Sequence, residues 1–134
     1  MGNSLLRGTQ PFADAELTKV LLAPRIHGHM TATELQGVLP ISHRSPIAGR
    51  VRKLEIVVRV LTAGAGLVGL DANGTILGAN IVIPTASPAG TLFSDTYVDD
   101  VDNLVAVGDL LEVTTDGVPT AGELTYVITI EPSP

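Results

Sequence analysis

The chain has no cysteine and no tryptophan. The first absence rules out disulfides and thiolate metal sites, so packing alone must hold the fold. The second, with aromatics at only 3%, leaves a core to be built from Val, Leu, Ile and Ala. No apolar run reaches the roughly 18 residues that a membrane-spanning helix needs, and no membrane partner is expected. The opening MGNSLLRGTQPF lacks the basic head and apolar centre of a signal peptide. Leu6 sits where a myristoylation pattern wants Ser or Thr. Lysine and arginine are missing after Arg59, and histidine is missing after His43. Residues 1–59 therefore hold all eight basic residues against four carboxylates, and residues 60–134 hold ten carboxylates and no Lys or Arg. Such a split predicts two surfaces with different partners.

What is present is turn-rich and β-prone. Fourteen glycines and nine prolines in 134 residues favour many turns over long helices. PFADAELTKVLL at 11–22 reads as one short helix, with Pro11 at its start and Ala13, Leu17, Val20 and Leu21 at helical spacing. Thr31 with Glu34 three residues later forms a capping-box pattern. Pro46 and Gly49 mark a hinge. From Arg50 the period changes to two. Leu54, Ile56, Val58 and Val60 alternate with Lys53, Glu55, Val57 and Arg59, as in a half-buried strand. Asp71-Ala72-Asn73-Gly74 predicts a hairpin turn. A strand over 76–83 follows, with Ala79, Ile81 and Ile83 on one side, and further strands are expected at 91–98, 104–107, 110–115 and 124–130. The reading is a mainly β protein: a small antiparallel β-sandwich, or jelly roll, over residues 51–134. An extended or partly helical N-terminal arm, residues 1–50, precedes it. Outward Val and Leu on the strands favour burial against sister copies, and a homotrimer is expected.

The residues that could carry chemistry are few. His27-Gly28-His29 would put two imidazoles on one side of an extended segment, with His43 as a possible third metal ligand. The spacing matches no strong motif, and no metal or other cofactor is expected. Asp99-Asp100-Val101-Asp102-Asn103 offers hard oxygen ligands but lacks the Gly and closing Glu of a calcium loop. Asp71, Asn73, Asp109 and Asp116 read as turn residues. No serine lies in a nucleophile elbow, and no Gly-rich loop carries a Lys for phosphate. The chain is expected not to be an enzyme. Arg44, Arg50, Arg52, Lys53 and Arg59 form a basic cluster. Without aromatic stacking partners it suits an acidic protein surface better than nucleic acid.

The run GANIVIPTASPAGTLFSD, continued by NLVAVGDLLEVTTDGVPTAGELTYVITI, resembles the jelly-roll domains of tailed-bacteriophage structural proteins. Ala89-Gly90, Gly108-Asp109-Leu110-Leu111-Glu112-Val113 and Leu124–Ile130 fill the places of the pattern. An apolar or basic arm ahead of such a domain is similar to head decoration (capsid cement) proteins. The resemblance implies a virion structural protein on the outer capsid surface, made in the bacterial host cytoplasm. It would bridge subunits of the major capsid protein. Arm anchors would be Leu5, Leu6, Phe12, Leu17, Leu21, Ile26, Leu35 and Leu39, with Arg44, Arg50 and Arg52 pairing carboxylates. Related folds also serve as tail or baseplate adaptors and as head-fibre or receptor-binding modules, and the pattern leaves those readings open.

Overall fold

The computed structural model describes residues 24–37, 39–97 and 102–133. The helix expected over 11–22 and the anchors Leu5, Leu6, Phe12, Leu17 and Leu21 lie outside the described residues. Nine strands and one short helix follow in order: β1 (Arg25–Met30), α1 (Ala32–Gln36), β2 (Ile41–Arg44), β3 (Gly49–Ala63), β4 (Gly66–Ala72), β5 (Thr75–Ile83), β6 (Leu92–Thr96), β7 (Leu104–Val105), β8 (Leu110–Thr115) and β9 (Ala121–Pro132).

The described residues form a long antiparallel ribbon folded at one turn and wrapped around a core. Asn73 and Gly74, with φ of 50° and 85°, supply the two positive angles of a tight hairpin, and β4 pairs β5 across them. Outward from that turn β3 pairs β6 and β7, β2 pairs β8, and β1 pairs β9. Successive ribbon segments alternate between two sheets. The results are the order β1-β9-β3-β6, with β7 sharing the β3 edge, and the order β2-β8-β4-β5. That wrapped arrangement of two antiparallel sheets is a jelly roll, as the alternation of the strands predicts.

Aliphatic residues fill the space between the sheets. Val51, Leu54, Ile56 and Val58 of β3 and Leu124, Tyr126, Ile128 and Ile130 of β9 face Val68 and Leu70 of β4 and Leu111 and Val113 of β8, all buried. Two expected faces are interrupted by bulges, which insert residues and turn the following side chain over. A shift between Val58 and Val60 leaves Val60 47% exposed rather than in line with Val58. Another shift opposite Val68 and Leu70 puts Ala79 on the exposed side, away from Ile81 and Ile83.

The domain boundary expected at residue 50 moves. Among the described residues the sandwich begins at Arg25, because β1 is an edge strand on β9 and β2 an edge strand on β8. Between them, α1 carries the expected capping box at Thr31 and Glu34. Leu35 is 1% exposed and Ile26 packs against the core. Both were expected as outward anchors; their side chains instead complete the sandwich's own interior.

Candidate functional site

The strand register defines two ends of the sandwich. At one end the chain enters through Pro24, whose carbonyl accepts from Ile130 N at 3.0 Å. Arg25 follows, opposite Thr129, which in turn faces Lys53. Arg50 lies opposite Glu131 and Leu104. Arg44 ends β2, and its Nη1 donates to the Gly108 carbonyl at 3.3 Å. Arg52 Nε donates to Glu131 Oε2 at 2.5 Å, and Arg50 Nη1 to Asn103 Oδ1 at 3.3 Å. The fold thus gathers three residues singled out from sequence, Arg44, Arg50 and Arg52, at the end where residues 1–23 join. It adds Arg25, which no local pattern indicates; pairing of β1 with β9 brings it there. Arg59 belongs to the other end of β3 and donates from Nε to Thr125 Oγ1 at 3.1 Å. Leu39, 81% exposed, is the one expected apolar anchor that the described residues leave outward.

The charge split along the sequence does not become two separate surfaces. The ribbon pairs the basic early strands with the acidic late ones. Arg52 and Glu131, 2.5 Å apart, form one such ion pair, and His29 Nε2 lies 3.3 Å from Glu123 Oε2. Both contacts are partly exposed to solvent, so they orient side chains more than they stabilise the fold.

The three histidines do not converge. His27 and His29 face outward from β1, where, with Glu55, Val57, Arg59 and Leu92, they line an open depression of 590 Å³. His43 points inward from β2, and its Nε2 lies 2.6 Å from the Tyr126 hydroxyl in the other sheet. Among the described residues no group of three or more His, Asp or Glu is placed to hold a metal. Of the acidic loop, residues 99–101 lie outside the described residues. Asn103 is a fold staple: it donates through Nδ2 to the Val51 carbonyl at 3.0 Å and accepts from Val51 N through its own carbonyl at 2.9 Å. Asp109 and Asp116 are turn residues as expected, accepting from Ala106 N at 2.8 Å and Val118 N at 3.1 Å. Asp71 is not: it sits in β4 beside Glu112 of β8.

The His43–Tyr126 pair links the two sheets at the β1–β2 edge. Burial holds the His43 imidazole below its ordinary 6.5. Burial, with the Glu34 carboxylate adding, pushes the Tyr126 phenol up to about 12. The folded protein thus binds the His43 proton less readily than the unfolded chain does. Its contribution to stability is complete above pH 6.5 and is lost as pH falls from there through the folded value. Urea unfolding at about pH 7.5 and about pH 5.5 is expected to show lower stability at the acid value, and His43→Gln is expected to flatten that part of the profile. Asp71, raised by burial, acts in the opposite direction nearer the carboxylate range, which is why the variant comparison is needed. An unchanged slope in His43→Gln would remove His43 from this role.

No protein-family model matches the chain, and no curated protein matches it. Solved structures with partial likeness include an arabinose-bound α-L-arabinofuranosidase at 20% identity and TM-score 0.43, with 69% of this chain and 16% of that one covered. PirA aligns at 11% identity and TM-score 0.41 over 78% of this chain and 92% of its own. A chain of the IBDV viral particle aligns at 16% identity and TM-score 0.29 over 81% and 32%. The chain spans only a small part of the arabinofuranosidase, and at these scores the likenesses assign neither a family nor a function.

Proposed function

We propose that this chain is a virion structural protein that decorates a bacteriophage capsid and stabilises it by bridging subunits of the major capsid protein. It acts without catalysis, as a homotrimer on the outer capsid surface, after synthesis in the bacterial host cytoplasm. One observation supports the reading above others: residues 1–23 join the jelly roll at the same end that gathers Arg25, Arg44, Arg50 and Arg52. Leu5, Leu6, Phe12, Leu17 and Leu21 supply the apolar contacts across the joints between capsid subunits. The arginines pair with carboxylates on the capsid. Each guanidinium has five N–H donors, so an internal partner and an external carboxylate are held together. A specific interface buries roughly 1,200–2,000 Å², within reach of a 23-residue segment plus one end of the sandwich.

Co-sedimentation with capsids that lack the protein tests this. The full chain is expected to pellet to a saturating ratio, and a chain starting at Pro24 to lose most of that binding while keeping β1 to β9. Deleting residues 1–50 would be a different experiment, since it removes β1, α1 and β2. If neither chain pellets, the capsid reading fails and a tail or baseplate adaptor, or a head-fibre or receptor-binding module, takes its place.

A further inference from the structure

We infer that β2 is a pH-gated edge strand: it leaves β8 when the His43 imidazole takes a proton, while the rest of the sandwich stays closed. The opening is a property of the fold and needs no partner. Only its consequence for the arginine end rests on the reading above.

β2 is lightly held. It has four residues, and among the described residues it pairs on one side alone, with β8. In an antiparallel pair only alternate residues exchange backbone hydrogen bonds, so this ladder amounts to about two such pairs. Side chains alternate between the faces of a sheet. Ser42 and Arg44 are exposed, and the inward grip of the strand is Ile41 and His43, both only partly buried. Half of that grip is a side chain that changes charge near neutral pH. Fixed points flank the strand. Ahead of it, Gln36 Nε2 donates to the Thr120 carbonyl at 2.9 Å. Behind it, buried Ser45 donates from N to the Asp109 carbonyl and accepts from Gly108 N, each at 2.8 Å. β2 can therefore part from β8 while α1 and the 106–109 turn stay in place.

The 2.6 Å contact between His43 Nε2 and the Tyr126 hydroxyl suits a phenol donating to a neutral imidazole. An imidazolium offers only N–H donors, so protonation reverses this bond and sets a cation between the sheets. The groups that surround it do not compensate. On β8 the side chains of the same inward face are Leu111 and Val113. Glu112 lies on the outward face, opposite Ser42 and Asp71. β1 lays Gly28 over the Tyr126 ring. The one charged group of α1 is Glu34, whose Oε1 already accepts from Thr31 N at 3.2 Å and Thr31 Oγ1 at 2.9 Å. Burial accordingly disfavours the charged imidazole in the closed strand, and lifting β2 hydrates it. Arg44 follows His43 directly and donates to the Gly108 carbonyl, so an open β2 withdraws one guanidinium from the arginine end. On the reading above, acid then weakens the hold on the capsid.

Amide hydrogen exchange on the free full chain tests the opening. It is followed over 41–44 and over core segments 54–58 and 124–130, and corrected for the intrinsic pH dependence of exchange. Residues 41–44 are expected to be less protected than the core and indifferent to low urea, because a local opening exposes little surface. Between about pH 7.5 and about pH 5.5 their protection is expected to fall about three- to tenfold, the limit set by lying one unit below an ordinary imidazole value. His43→Gln keeps a hydrogen-bonding side chain that does not titrate and is expected to abolish the fall. Protection over 41–44 that matches the core and responds to urea as the core does would mean that β2 leaves only on global unfolding, and overturns the inference. So does the absence of an acid fall, or a fall of the same size in His43→Gln. Each of those results leaves capsid binding untouched. A chain that opens as expected but pellets with capsids at neither pH keeps the gated strand and removes the capsid reading.

Discussion

Gly49→Ala is expected to lower the unfolding free energy by about 3 kcal/mol, at the upper end of ordinary overpacking costs. Gly49 opens β3 opposite Pro132. A Cβ there would lie 2.1 Å from the Glu131 carbonyl oxygen and 3.2 Å from Ile130 Cγ2. The obstacle is backbone, so no rotamer change relieves it. β9 must move away, and the pairing of Val51 with Ile130 and the Arg50–Glu131 register go with it. Gly74→Ala is the informative comparison. Nothing lies within 4 Å of a Cβ at Gly74, where only the φ of 85° is at issue, so the expected cost is about 1–2 kcal/mol. Urea denaturation of both variants separates the two causes. Equal losses would mean that close approach at Gly49 is not what the fold depends on.

The second large effect belongs to Tyr126. Its side chain is 2% exposed and crosses beneath Gly28, where a Cβ would come within 2.1 Å of the ring. The ring also packs edge-on against His43, with centroids 5.7 Å apart. Tyr126→Ala is expected to cost about 3–5 kcal/mol, the range for deleting a buried aromatic. That is a large share of the roughly 5–15 kcal/mol available to a small domain. Tyr126→Phe keeps the ring and removes the hydroxyl that His43 uses, so about 1 kcal/mol is expected. If the Phe variant is as unstable as the Ala variant, the hydrogen bond between the sheets outweighs the packing and the account of this edge is wrong.

Local chemistry explains which parts of the fold could be read from the residues. Leu124, Tyr126, Ile128 and Ile130 alternate strictly and face inward. Asn73-Gly74 turns the ribbon, and Thr31 with Glu34 caps α1. Each of these rests on interactions within a few residues. β1 and β2, which local pattern does not mark as strands, have six and four residues and become strands only by pairing with residues far along the chain, Arg25 with Thr129 in β9 and Ile41 with Val113 in β8. Nothing in their own segment can bury Ile26 and Leu35, so local sequence marks them as outward anchors; distant strands cover them instead. Bulges that turn out Val60 and Ala79 carry no marker in the alternation, although Gly78 with φ of 58° is the residue that permits the second. The basic collar was half legible. Arg44, Arg50 and Arg52 are near in sequence, whereas Arg25 comes to this end only through the pairing of β1 with β9, and Glu131 through the pairing of β3 with β9.

On the proposed function, the end of the sandwich that begins at Pro24 and carries the arginines faces the capsid. Hydrogen–deuterium exchange of the free and the capsid-bound chain measures this directly. The account predicts that binding slows exchange in residues 1–23, around Arg25 and over 44–52, and leaves the 85–90 and 116–120 turns at the opposite end unchanged. Slowed exchange confined to those two turns, with the arginine end unaffected, would contradict it.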